Sequence, residues 1–362
     1  MVKLKSHETK IFSFLILSRL LIFIIARLTT ISLGEFIARW DANHYLFLAQ
    51  NGYVSSGIEK TYIVFPPFYP LLIKAFAILF INYEFSAILI SNICFVIGGF
   101  VFYKLLRFDY SEKISLWIVI ILSLFPTSYF FSAAYPESLF FLLMSLAFYF
   151  ARQQKFRESS LIGGLAILTR PFGILVFSFI VIEWLLQKKK KDFLELILII
   201  STMTAAGLVY LSLNYSLFGN FFAFGEILRT YWQKSFAFAW QGIIGSLRIG
   251  INTTTDLEFK YIVGYSEAIA SIFSYVFILI NLIFRKLRMR ISYLIYFILA
   301  VIFMTSTSFV LSTPRYLLSI PPFFITLGLL TNYKTLKIVW IVISVLLLIY
   351  FTYLFTKGHW AF

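Results

Sequence analysis

Residues 11–33 read "IFSFLILSRLLIFIIARLTTISL", and Arg39–Tyr53 read "RWDANHYLFLAQNGY". The first run is apolar over a length that can cross a bilayer, which takes roughly 20 residues. The second places Asp41 beside Trp40 and three residues before His44, just after that crossing. Long apolar runs punctuated by short polar patches continue to the end of the chain. Clear spans are expected at 84–106, 113–133, 136–151, 193–215, 260–284, 291–311 and 338–356, with a shorter one at 315–331. Residues 159–186 are interrupted by "LTRPFG" and read as a hairpin of two short helices, and 65–82, beginning "FPPFYP", is also short. These add up to roughly eleven membrane segments, tilt and breakage blurring the tally. With no repeat or second domain in view, residues 1–362 read as one all-α, polytopic membrane bundle.

Composition agrees. The chain is 60% hydrophobic and 13% charged, with a mean hydropathy of +0.89, where soluble domains carry roughly 25% charged residues. The net charge of +15 in a soluble protein would suggest nucleic acid. Here the basic residues sit in short loops between spans, so positive-inside bias accounts for them, and no soluble domain offers a nucleic-acid groove. Cys94 is the single cysteine, which excludes an intrachain disulfide and a thiolate cluster. His7, His44 and His359 are too scattered in sequence for a local zinc motif. The basic start "MVKLKSHETK" followed by an apolar run imitates a signal peptide, but the run is long and lacks a small-residue cleavage site; it reads as a retained first span.

The loops "KLLRFDYSEK", "ARQQKFRES", "QKKKKD", "RKLRMR" and "NYKTLK" are expected to be cytoplasmic. Tracing between them places a first outer loop at 34–64, a long outer loop at 216–258, and 132–138, 312–316 and the tail on the opposite side. Segment 65–82 fits only if it enters and leaves on the outer side. The patches "RWDANHY", "FPPFYP", "AAYPES", "TRP", "STPRY" and "KGHWAF" then all fall on the non-cytoplasmic face.

In that order, "RWDANHYLFLAQNGY", "FPPFYPLLIKAF", "SAAYPESLFFLL", "GGLAILTRPFGIL", "STPRYLLSIPPFF" and "KGHW" resemble the PIG-V family, GPI mannosyltransferase 2 and its prokaryotic relatives. The resemblance runs from the first span to the last residues, and the compact loops suit a prokaryotic relative, hence the plasma membrane (the ER membrane in a eukaryotic host). It implies a GT-C glycosyltransferase fold, with a catalytic carboxylate in the first outer loop. It also implies a polyprenyl-phosphate sugar donor, usually carrying mannose, a lipid-linked or glycan acceptor, and inversion at the anomeric centre. Membrane lipids are expected around the bundle, and an accessory subunit is left open.

Asp41 is the expected catalytic base. A base assists attack by a sugar hydroxyl, and a lipid phosphate leaves as a stable anion, so the acid an inverting glycosidase needs is dispensable. The bland alternative is an interfacial Asp that pairs with Arg39 or caps a helix. Arg170 and Arg315 lie in or beside apolar segments, where a guanidinium needs a partner or a wet cavity. Both are expected at the donor phosphate, whose oxygens match the guanidinium fork; the alternative is an ion pair with Glu137 or Glu183. Glu137 would hold a sugar hydroxyl, pair with an arginine, or simply favour the start of its helix. His44, Trp40, Tyr69 and Tyr316 are further substrate-binding candidates: His44 to orient Asp41 or touch the acceptor, Trp40 to stack on sugar, and Tyr69 to border a lipid groove. His44 and Trp40 have equally ordinary structural readings. His359 and Trp360 match the closing motif, though a terminal Trp is also at home at a membrane surface. Pro66, Pro67 and Pro70 read as architecture. No DxD or clustered ligands occur in an outer loop, so a metal-independent reaction is expected, a divalent ion between Asp41 and Glu137 staying open. No glycine pattern for nucleotides is present. A transporter or flippase for a lipid-linked substrate is the rival reading; it predicts ionisable groups near the bilayer midplane and internal repeats.

Overall fold

The computed structural model describes residues 6–30, 34, 36, 38–187, 193–252, 254 and 256–362. Among these, secondary structure is helical apart from one isolated antiparallel bridge, Phe236 with Thr307. Five helices are long and apolar enough to cross a membrane: Glu8–Thr29, Tyr83–Leu106, Phe193–Phe218, Leu257–Ile283 and Lys334–Lys357. Gly173–Gln187, Ile291–Thr305 and Pro321–Leu330 are shorter apolar helices. The eleven expected segments therefore do not appear as eleven full-length spans. Several are broken by the same prolines and polar residues that mark the site.

The expected span 113–133 shows why. It is helical over Glu112–Ser123, then breaks around Pro126 into a short 3-10 turn, Ser128–Phe131. Backbone groups freed in an apolar interior must be satisfied by protein, and Arg19 does so from the first helix. Its guanidinium donates to Ser123 O (2.7 Å) and Ser128 O (2.8 Å) and lies 4.0 Å from the Phe95 ring centre.

Segment 65–82 also departs from a simple crossing. The turn Ile58–Val64 meets the helix Phe68–Phe80 at 109°, with Pro66 and Pro67 at the corner. The chain then turns at Ile81 and Asn82, whose side chain accepts from Phe85 N–H at 2.8 Å. It returns along Tyr83–Leu106, where Ala87 O and Ser91 meet the Tyr69 hydroxyl at 3.3 and 3.0 Å. The segment is thus one arm of a helical hairpin. Residues 159–186 form the expected pair of short helices, Phe156–Ile167 and Gly173–Gln187.

Charges sort to two ends of the bundle. At one end Arg152 pairs with Asp109, and Glu183 accepts from Arg290 (2.6 and 3.0 Å) and Ser292 (2.5 Å). These residues lie in or beside the expected cytoplasmic loops; the remainder of "QKKKKD", from Lys188, falls outside the described residues. The helix Glu137–Arg152 spans the distance between the two ends. It carries Arg152 at its last residue and Glu137 at its first, and its 16 residues separate them by roughly 22 Å.

Candidate active site

At the Glu137 end the six motif patches meet. Tyr135 donates to Arg39 O (2.8 Å), Phe68 N–H to Leu168 O (2.8 Å), and Arg39 to Thr356 O (2.8 Å). Trp40 and Trp360 touch edge to face at 5.2 Å. The tail is held further by Glu258, which pairs with His359 Nδ1 (2.9 Å) and accepts from Trp360 N–H (2.8 Å).

Four charged side chains form the centre. Arg315 Nη1 donates to Asp41 Oδ2 at 2.9 Å, and its Nε to Glu137 Oε1 at 2.5 Å. Arg170 Nη1 donates to the same Glu137 oxygen at 2.7 Å and to Ser319 Oγ at 3.3 Å. Of the two acids named as alternative partners for these arginines, Glu137 takes both and Glu183 belongs to the far end. The carboxylates differ in access: the Glu137 side chain is 0% exposed and that of Asp41 25%. Glu137 Oε2 is buried without a hydrogen-bond partner among the described residues, an omission costing about 1–3 kcal/mol unless water or ligand fills it.

Each group is aimed by its local structure. Trp40 takes φ 51°, an outlier for a bulky residue, and turns the chain so that Asp41 opens the helix Asp41–Asn51. Pro136 precedes Glu137, and Pro171 follows Arg170 where the short hairpin bends. Arg315 sits in the single turn Thr313–Tyr316. This turn is anchored by Glu267, a fully buried acid that accepts from Ser312 N–H (2.6 Å) and Thr313 N–H (2.5 Å). Thr127 holds it from the other side through Pro314 O at 2.8 Å. The Arg315 guanidinium lies 4.5 Å from the Tyr135 ring centre and 4.8 Å from that of Phe130.

The remaining candidates divide. His44 Nδ1 is 3.8 Å from Asp41 Oδ1, close but not bonded, and its ring packs on Tyr62 (4.3 Å), Phe65 (5.3 Å) and Trp232 (5.8 Å). Burial pushes its pKa below the ordinary value, against the opposing pull of Asp41. Tyr316 is half-buried, with Arg170 5.3 Å from its ring centre and Lys234 5.5 Å. Trp40 is exposed and faces the tail rather than the four charges. Tyr69 is a correction: it is fully buried with its hydroxyl engaged within the hairpin, so it packs behind the site instead of bordering a groove. Asp41 and Glu137 are bridged by Arg315, whose guanidinium occupies the place a cation between them would take; among the described residues no three potential metal ligands gather.

Arg19, Glu267 and Lys234 escaped the sequence reading. The first two carried a signal, an ionisable residue inside an apolar run. Lys234, in a polar loop, carried none.

Comparison with known proteins bears on this arrangement. The family model for dolichyl-phosphate-mannose-protein mannosyltransferase matches residues 65–215, a stretch that includes Glu137 and Arg170. The GPI mannosyltransferase pigv-1 of Caenorhabditis elegans is 27% identical over 183 residues, covering 41% of this chain and 25% of the relative. The chain thus matches only about a quarter of that relative's length. The oligosaccharyltransferase of Archaeoglobus fulgidus, solved with a tethered acceptor peptide, superposes with a TM-score of 0.51 at 12% identity, over 97% of this chain and 55% of that one. Fold and membrane helices define a multi-pass integral membrane protein of GT-C architecture. Over part of its length the chain is similar to a GPI mannosyltransferase and to the dolichyl-phosphate-mannose-protein mannosyltransferase model.

Proposed function

We propose that this protein is a membrane mannosyltransferase. It transfers a sugar, mannose, from a polyprenyl-phosphate donor to a lipid-linked or glycan acceptor, with inversion. The observation that carries this is the Asp41–Arg315 contact: the accessible carboxylate of the cluster is held at 2.9 Å by a guanidinium whose Nη2 makes no hydrogen bond among the described residues. Asp41 Oδ1 takes the proton of the acceptor hydroxyl as its oxygen bonds to the anomeric carbon, and the bond from that carbon to the phosphate oxygen breaks. The phosphate leaves with the bonding pair, so no acid is required. Glu137 does not compete as the base, since it is closed off and bound by two arginines. It aligns them instead. The free N–H groups of Arg315 and Arg170 face the leaving phosphate, where charge grows as the bond breaks.

Support for an acceptor cleft comes from a cavity of about 400 Å³ between the first and the long outer loop, lined by residues including Ser55, Lys60, Glu226, Thr230 and Tyr231. Its lining residue Tyr231 is next in sequence to Trp232, the edge partner of His44. The site is assigned to the non-cytoplasmic face because it lies at the helix ends opposite the basic loops. The rival transporter reading is disfavoured by the mannosyltransferase matches.

Purified protein is incubated with polyprenyl-phosphate-[radiolabelled mannose] and a panel of lipid and glycan acceptors, beside Asp41→Asn. Transfer by wild type and its loss in the variant is the expected result. Equal transfer by both removes Asp41 as base, and transfer by neither across the panel removes the reaction.

A further inference from the structure

We propose that Lys234 supplies positive charge to the donor phosphodiester, a role that rests on the glycosyl-transfer reading above and adds to it a residue from the long outer loop. The argument begins with charge balance. Asp41 and Glu137 carry two negative charges, Arg170 and Arg315 two positive ones, and hydrogen bonds of 2.5–2.9 Å join all four. The cluster is neutral before a donor arrives. A polyprenyl-phosphate sugar brings one negative charge and leaves as a monoester with nearly two near pH 7. The arginines have N–H donors to spare but no charge to spare.

Lys234 is a cation beside this cluster that no acid neutralises: among the described residues, no carboxylate lies within ion-pair distance of it. Glu267 accepts from the amides of Ser312 and Thr313 and makes no ion pair with Lys234. The Lys234 ammonium lies 5.5 Å from the centre of the Tyr316 ring, the ring that Arg170 approaches to 5.3 Å. One aromatic side chain, next in sequence to Arg315, therefore joins two cations, Arg170 and Lys234. Nor is the lysine there by the chance swing of a loop. The Lys234 N–H donates to Leu228 O (3.1 Å), Gln233 turns at φ 51°, and Ser235 O accepts from Ser308 N–H at 3.1 Å. Together with the Phe236–Thr307 bridge, these bonds fasten the lysine-bearing segment to the strand of chain that leads into Arg315. Lys234 is half-buried and makes no ion pair among the described residues, whereas the buried guanidiniums of Arg170 and Arg315 are paired with acids. Lysine is also a compact point charge well suited to phosphate.

The test measures binding of polyprenyl phosphate and of uncharged polyprenol to purified wild type, Lys234→Gln and Lys234→Arg, with thermal melting of each as a control for folding. Donor KM is measured in parallel in the transfer assay. Lys234→Gln is expected to weaken polyprenyl phosphate binding and raise donor KM by about tenfold, the factor for one charge-assisted contact. Polyprenol binding and acceptor KM stay put, and Lys234→Arg restores most of the loss. Equal polyprenyl phosphate binding by wild type and Lys234→Gln overturns the proposal, as does a parallel loss of polyprenol binding. The two levels separate cleanly. Transfer by wild type with an unchanged donor KM in Lys234→Gln leaves the reaction standing and removes Lys234, whereas absence of transfer removes the reaction while the binding comparison still decides the anion site.

Discussion

Asp41 and Arg315 are 274 positions apart in the chain and 2.9 Å apart in the fold. That contact unites the loop after the first helix with the turn after Ile291–Thr305, and it places the accessible carboxylate beside a guanidinium already committed to Glu137. One side of Asp41 is thereby fixed while Oδ1 stays available to an acceptor. A general base needs that combination of rigid aim and an open lone pair.

Replacing Asp41 with Asn keeps the shape and removes the proposed base. Transfer is expected to fall by about 10²–10⁴-fold with donor KM changed only a few-fold, measured as initial rates over a donor titration. A matching rise in donor KM with kcat intact would reassign Asp41 to binding.

Glu137→Gln leaves two buried guanidiniums facing a neutral amide. Breaking a buried pair from one side costs about 3–5 kcal/mol, so a large drop in melting temperature in detergent is expected. The double variant Glu137→Gln/Arg170→Gln should lose less than the sum of the single losses, since the groups share one network. Additive losses would show that the contact is not energetically coupled.

Glu267 holds the turn that carries Arg315 through two backbone amides. Glu267→Ala orphans both, at about 1–3 kcal/mol each. It is expected to lower kcat more than Glu267→Gln, which keeps one acceptor oxygen in place. Identical kcat for the two variants would mean that the anchoring bonds do not position Arg315.

His44 gives a pH signature. Its folded pKa is depressed by burial, so the unfolded chain binds the extra proton more readily. The stability this contributes is present above the unfolded value of about 6.5 and is lost as pH falls below it. Melting temperatures from pH 8 to 5 should decline more steeply for wild type than for His44→Gln; parallel curves would contradict the shift.

Arg19→Met removes the donors that satisfy Ser123 O and Ser128 O at the broken helix. A destabilisation of about 1–3 kcal/mol is expected by thermal unfolding, without a change in donor KM. An unaltered melting temperature would indicate that water replaces the guanidinium there.

Much of the candidate site was legible in sequence because each polar residue in an apolar run needs a reason. That rule singled out Arg170 and Arg315, and the motif order added Asp41 and Glu137. Applied evenly it would also have found Arg19 and Glu267. It could not find Lys234, which sits among polar loop residues where a lysine is unremarked. It also misjudged Tyr69, because a tyrosine after two prolines looks the same in sequence whether its ring meets lipid or packs inside a hairpin.

Hydropathy and the placement of lysine and arginine determined by themselves that this chain is a helical membrane protein with its unusual residues gathered towards one end. Both are sums over neighbouring residues, and transfer into lipid acts on such local sums. Only the tertiary structure decided that two arginines share one oxygen of Glu137, that Arg315 joins it to Asp41, and that a loop lysine closes on Tyr316. Coulomb and hydrogen-bond energies depend on separation in space, and among helices a few ångströms of packing settle which of the distant charges meet.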